Sequence, residues 1–426
     1  MSECIDQRPA VVPVRLNRRP SLFGRLLMLV ASVATACLLG EVGLRLTGYG
    51  RSYLNPFHAF HESDDLIGIR GRANFTGRLK NAEMDAVITN DAQGFRKPAH
   101  EVADASSKRT VFVLGDSFMW GWGVGQGQVV TDLMQERLPD CRVRNFAVSG
   151  TGTLQQFTVL KKFVLPELRS DDVVLLAFFG NDFGDNLGEN HEGCLYARLE
   201  DGKIRLVPPD GTACPHGLLS RLSDASYLVN LVTYAANRLI HTWRNEKGGS
   251  NSTSVATETH AQATTPAAPN APVAASQSVA ATSRNPVIPD ESAALQVARF
   301  YLRAFNVECH QRGADFFVVY VPFRPEIGDV DQGSVIPPVP PPCAEHQALF
   351  HCTAGLGIPT LDLVSAFIAA KANDHVGRLS YVNDFHWNPT GHRVAARAIC
   401  EFLTRQAMSE THTRLAPVRA EASTTN

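Results

Sequence analysis

From Thr110 onward, short apolar runs rich in Val, Leu and Phe alternate with amphipathic stretches, and this alternation restricts the chain to an α/β fold. Residues 110–114, 142–148 and 173–179 read as strands, and 129–138 and 154–164 as helices. The pattern resumes later, with a long helix over 292–312, a buried strand over 315–321 and a short strand over 359–363. A last helix opens at Asn388-Pro389, Asn as cap and Pro at the first helical position, and runs to about Thr404. Strands separated by helices pair in parallel through right-handed crossovers, so both faces of the sheet must be covered. Chemistry in such a sheet gathers at the carboxyl edge of its strands.

The formal net charge is −2, which leaves no polycationic field for nucleic acid. Basic residues do cluster at the amino end, at Arg15, Arg18, Arg19 and Arg25. They precede the uncharged run 26–40, which is shorter than the roughly 30 Å of a bilayer's hydrocarbon and needs its apolar flanks, through about residue 46, to span it. Arginines before the run favour a signal anchor with a cytoplasmic amino end (1–25) and a body outside the plasma membrane, periplasmic in a bacterium with two membranes. A cleaved signal is the rival, since Ala34-Thr35-Ala36 fits a cleavage site and Cys37 follows it.

Residues 49–108 read as a lead-in of ribbons and loops, and 109–408 as the main domain. Stretch 247–284 is Ser, Thr, Ala, Pro, Gln and Asn with almost no large apolar side chain, the composition of a disordered insertion. Before it, 218–243 has helical periodicity suited to packing on the domain edge or closing as a lid. The proline run 337–342 reads as a stiff loop and 409–426 as a frayed tail. Nine cysteines show no zinc spacing. In an oxidising compartment Cys194–Cys214 and Cys343–Cys352 would be the pairs, each closing a short polar loop.

Four loops stand at strand ends or before a helix: Gly115-Asp116-Ser117, Ser149-Gly150-Thr151-Gly152-Thr153, Gly180-Asn181-Asp182, and Asp384-Phe385-His386. Acyl transfer by a serine needs a base, a group that orients the base, and donors for an oxyanion. Ser117 serves as nucleophile, His386 as base and Asp384 as orienter. The amides of Ser117 and Gly150 and the side chain of Asn181 can converge as donors. Trp120 and Trp122, set between glycines, could stack on a sugar or line an acyl pocket, whereas Phe118 and Phe183 read as core.

These blocks resemble those of the SGNH (GDSL) hydrolase superfamily: GDSF at 115–118, the glycine of SGTGT, GND at 180–182 and DFH at 384–386. The resemblance covers about residues 109–405 and is strongest to membrane-anchored bacterial members related to polysaccharide O-acetylation proteins. ITNDAQGFR at 88–96 is similar to a lead-in of such proteins. The family implies a flavodoxin-like three-layer α/β/α fold with a mostly parallel sheet, and hydrolysis or transfer of acyl esters. It places the nucleophile at Ser117, oxyanion donors at Gly150 and Asn181, and the base at His386. The commoner pattern has the acid three residues before the histidine, where this chain has Asn383; Asp384 is two before, and Asp182 is the fallback orienter.

The expected function is therefore hydrolysis of a short acyl ester, small or on a glycan, with no cofactor implied. An acyltransferase acting on a polysaccharide and a carbohydrate-binding assembly protein with a vestigial site are the alternatives. An α/β-hydrolase elbow G-x-S-x-G is absent, and 121–127 lacks dinucleotide spacing.

Overall fold

The computed structural model describes residues 21–47, 60–80, 83–100, 109–189, 193–211, 213, 222, 226–229, 231–233, 235–236, 292–329, 343–373, 376–382 and 384–415. The amino-terminal segment through residue 20, the biased stretch 247–284, the proline run 337–342, Cys214, Asn383 and the tail from 416 lie outside the described residues.

Helix α1 (Leu22–Thr47) has no buried residue, and its 26 residues span about 39 Å, long enough to cross a bilayer. Its charged end is engaged: Glu41 accepts from Ser226 Oγ (2.8 Å), Leu228 N (2.9 Å) and Tyr227 N (3.2 Å), capping the helical turns that follow. Those turns therefore pack on α1, Leu228 lying 3.5 Å from where a Cβ on Gly40 would stand.

Two antiparallel hairpins follow, β1 (His61–Asp64) with β2 (Gly68–Gly71) and β3 (Thr76–Lys80) with β4 (Asp85–Thr89). The main sheet begins at β5 (Arg109–Leu114), which leads through α2 (Ser117–Trp120) and α3 (Val130–Arg137) to β6 (Cys141–Asn145). Next come α4 (Thr153–Val159), prolonged by a π-helical turn over Leu160–Val164, β7 (Val173–Phe178) and α5 (Asp182–Asp185). The hairpin β8 (Tyr196–Glu200) and β9 (Lys203–Val207) precedes α6 (Ala293–His310). The chain closes with β10 (Asp315–Tyr320), α7 (Ala344–Leu356), β11 (Thr360–Asp362), α8 (Leu363–Asn373) and α9 (Pro389–Leu415).

The five sheet strands are all parallel, in the order β11-β10-β7-β5-β6. That is the flavodoxin-like order, and helices cover both faces. Strand periodicity explains the two layers, because successive side chains point to opposite faces. Val111, Val113, Leu175, Ala177 and Val319 pack with α3, α8 and α9 through Met134, Phe367 and Ile399. Phe112, Leu114, Leu176, Phe178 and Val318 pack with α4, α6 and α7 through Val159, Phe305 and Leu349. The expected three-layer α/β/α fold is the one observed.

Two expectations fail. Cys343 and Cys352 do not close a polar loop: both are free thiols, one capping α7 and the other buried in its third turn. Nine residues of helix separate them by about 13 Å, beyond the reach of a disulfide. The apolar face of Ala348, Leu349 and Cys352 outweighs the proline run that made this stretch look like loop. The last helix also continues past Thr404, to Leu415.

Candidate active site

Strand β5 lies between β6 and β7, so the loops after these three strands are neighbours at one edge of the sheet. The first crossover leaves β5 toward β6 and the next returns past it to β7, which makes the gap between β5 and β7 the topological switch point. Ser117 opens α2 there, on a turn whose Gly115 has φ +156° and whose Cβ position lies 2.9 Å from Met119. Asn181 ends the β7 loop, and Gly150, with φ +74°, lies in the β6 loop.

His386 reaches this edge from the loop before α9. Its Nε2 is 2.6 Å from Ser117 Oγ and its Nδ1 is 2.5 Å from Asp384 Oδ1. A carboxylate only accepts, so Nδ1 carries the hydrogen and Nε2 presents its lone pair to the serine hydroxyl. The same carboxylate oxygen accepts the His386 backbone N–H at 2.9 Å. The His386 side chain is 5% exposed and that of Asp384 23%, so the carboxylate meets water and the imidazole is shielded. Asp182 is fully buried and accepts from Thr153 Oγ1 at 3.0 Å, with no bond to His386.

The loop's position follows from its flanks. Trp387 is fully buried against Phe118 and Phe367, and pairs through its backbone with Ser380. Asn388 caps α9, its Oδ1 accepting from Thr390 N (2.9 Å) and Gly391 N (3.1 Å). Asp329 fixes the preceding turn by accepting from Leu379 N and Ser380 N, both at 2.7 Å, and pairs with Lys371 at 2.5 Å. Phe385 stacks on His386 at 4.2 Å between ring centroids, and Phe118 lies 5.0 Å from it on another side.

Trp120 and Trp122 are buried, which corrects the sugar-platform reading. Trp120 is sandwiched by its surroundings, with His61 at 5.0 Å and the Arg96 guanidinium at 5.3 Å. Both tryptophans belong to the core beneath the site, as do Phe118 and Phe183.

Carboxyl groups crowd behind the serine. Asp116 caps α2 through Phe118 N (3.0 Å) and is buried; burial pushes its carboxyl up to about 7 against the pull of that amide. Burial, then the neighbouring Asp116 and Asp185, raise Asp182 well above the carboxylate range. His392, buried beside Trp387, is pushed down to about 3, chiefly by burial, and is neutral. Asp116 thus keeps in the folded state a proton that the unfolded chain has lost, so its contribution to stability falls from about pH 4 to about pH 7 and is flat above. Asp116→Asn keeps the capping oxygen and removes the penalty. Its gain over the parent in chemical denaturation is expected to be absent near pH 4 and to reach at most about 4 kcal/mol above pH 7. A gain independent of pH would contradict this.

The sequence reading did not single out Asp185, Asn186 or Asp329. The spacing Asn181–Asp185, one helical turn, was the available signal for the first.

The model of the SGNH hydrolase-like domain, acetyltransferase AlgX, matches residues 282–424. The match includes Asp384 and His386 and ends short of the segments bearing Ser117, Gly150 and Asn181. It bears out the resemblance to the SGNH superfamily and to O-acetylation proteins. No curated protein matches the chain. Among solved structures, a Bacillus subtilis protein is similar at 11% identity with a TM-score of 0.38, over 76% of this chain and 60% of that one. The chain thus spans about three fifths of that protein. A member of the lipolytic G-D-S-L family from Veillonella parvula is similar at 11% identity and a TM-score of 0.34, over 70% of this chain and 99% of that one. An acetyl xylan esterase is similar at 11% identity and a TM-score of 0.33, over 69% and 99%.

Proposed function

We propose that this chain, with its SGNH hydrolase-like domain, is a serine esterase that removes short acyl groups through an acyl-enzyme, held at the outer face of a bacterial plasma membrane by α1. The observation that carries the reading is the unbroken relay Ser117 Oγ–His386 Nε2 and His386 Nδ1–Asp384 at 2.6 and 2.5 Å.

The chemistry follows from that relay. Ser117 Oγ attacks the ester carbonyl as His386 Nε2 takes its proton, and the Oγ–C bond forms while the carbonyl electrons move to oxygen. The amides of Ser117 and Gly150 and the Asn181 side chain hold the oxyanion. Its collapse breaks the C–O bond to the alcohol, which leaves with the proton from His386. Water then attacks the acyl-enzyme with His386 as base again; collapse breaks the Oγ–C bond, Ser117 Oγ takes the proton from His386, and the acid is released. Asp384 keeps the imidazole in the productive tautomer and stabilises the imidazolium. The domains follow the same reading: an anchor over 26–46, a lead-in over 49–108, and the catalytic unit over 109–408.

A second reading shares every step up to the acyl-enzyme: a sugar hydroxyl replaces water as the acceptor. The match to a domain described as acetyltransferase supports it. The full-length chain in detergent, assayed on an aryl acetate and labelled with a fluorophosphonate, is expected to turn over and to label. Ser117→Ala is expected to do neither. Equal labelling of parent and variant, or none of either, removes the catalytic reading. Acetyl transfer to an added oligosaccharide, at the expense of acetate release, would select the transferase form.

A further inference from the structure

We infer that Asp185 is a positioning residue that holds the Asn181 amide in the orientation an oxyanion requires; this rests on the esterase reading above. Asn181 Nδ2 donates to Asp185 Oδ2 at 2.9 Å, across one turn of α5. The backbone closes the same turn, Asp185 N donating to Asn181 O at 2.8 Å.

An asparagine amide has two nearly isosteric orientations, one offering NH₂ and the other C=O to a given neighbour. Only the first leaves an N–H for an oxyanion; the second aims a carbonyl oxygen at it and repels. In the structure Nδ2 faces Asp185 Oδ2, and a carboxylate oxygen that accepts this N–H holds the first orientation. It takes one of the two hydrogens on Nδ2 and leaves the other available. The opposite atom does not compete for the choice: Asn181 Oδ1 is buried and has no partner among the described residues.

Asp185 is itself held in place. It is 1% exposed, and its backbone oxygen accepts from Gln155 Nε2 at 3.3 Å. A Cβ on Gly152 would lie 2.9 Å from Asp185 Cβ and 3.0 Å from Asp182 O, so only glycine lets the β6 loop pack on α5. Thr153 Oγ1 bonds to Asp182 and Leu154 N to Asn186 Oδ1 at 2.8 Å, stitching the same two loops. The loop of Gly150 and the loop of Asn181 are thereby one rigid unit, with Asp185 at its centre and its carboxylate aimed at the donor.

The test is a double-mutant cycle on the full-length chain in detergent, with an aryl acetate as substrate. Asp185→Ala is expected to lower kcat by about tenfold or more, with KM changed by less than about twofold. The isosteric Asp185→Asn, which can offer either a donor or an acceptor, should fall between it and the parent. It also serves if the alanine variant fails to fold. Because Asp185 acts through Asn181, the pair Asn181→Ala/Asp185→Ala should be no slower than Asn181→Ala alone; a purely structural role would multiply the two losses. An unchanged kcat in Asp185→Ala, or multiplied losses, overturns the inference while leaving Ser117-dependent turnover intact. A parent chain without such turnover overturns the esterase reading, and this inference with it.

Discussion

His386→Ala is expected to lower kcat/KM for an aryl acetate by about ten-thousandfold or more, close to the loss from Ser117→Ala. Without the imidazole the serine hydroxyl loses the acceptor now 2.6 Å away, and it must shed its proton to water as it attacks. The oxyanion donors remain in both variants, so each should keep a residual rate above the uncatalysed one. The two residues act as a unit, and the double variant should be no slower than either single one. A loss below about tenfold in His386→Ala would show that the base lies elsewhere.

Asp384 gives a finer version of the same test. Asparagine at 384 can donate to Nδ1 and so favour the tautomer that carries hydrogen on Nε2, which is the wrong one for a base. Its loss should therefore exceed that of an alanine, which leaves the tautomer free. Full activity in Asp384→Asn would move the orienting role to another residue, and Asp182, buried and already bonded to Thr153, is poorly suited to take it.

The framework was legible because strands buried on both faces are continuous apolar runs. Residues 110–114, 173–178 and 315–320 stand out for that reason, and the Asn388-Pro389 cap marks the last helix by local chemistry alone. Helix α8 is apolar on several sides and follows β11 without a turn, so no periodicity separates it from the strand. The hairpin β8–β9 is partly exposed and charged, which gives it the composition of a loop. At the site, the types of Ser117, Asn181 and His386 announce their chemistry. The supporting shell does not. Trp120 looks like a surface aromatic because it opens a glycine-rich loop, yet a buried cation and the residues Phe60 and His61, which come earlier in the chain, cover it. Burial is set by distant segments, and no local pattern carries it.

That buried cation supplies the largest stability effect expected outside the core. Arg96 is 2% exposed and ties the segment after β4 to the glycine-rich loop that follows α2. Its Nη2 donates to Val124 O at 2.6 Å, its Nε to Gln126 Oε1 at 2.8 Å and its Nη1 to Gly121 O at 3.4 Å. Gly121, Gly123 and Gly127 all have positive φ, so the loop has little local preference for this path and depends on such bonds. Burial lowers the guanidinium to about 9, opposed by the field of Asp132, so it is charged at neutral pH and its hydrogen bonds are charge-assisted. Arg96→Ala leaves two buried carbonyls without this donor and opens a cavity beside Trp120. The expected cost is about 3 kcal/mol, read as a fall of roughly 5–10 °C in the unfolding midpoint. Arg96→Lys should recover less than half of it, because one ammonium cannot reach three acceptors from a fixed stem. The loop also carries Trp122, whose ring lies 6.1 Å from that of His386, so kcat should fall with the midpoint. A midpoint unchanged in Arg96→Ala would mean that the hairpins and the sheet domain hold together without this clamp.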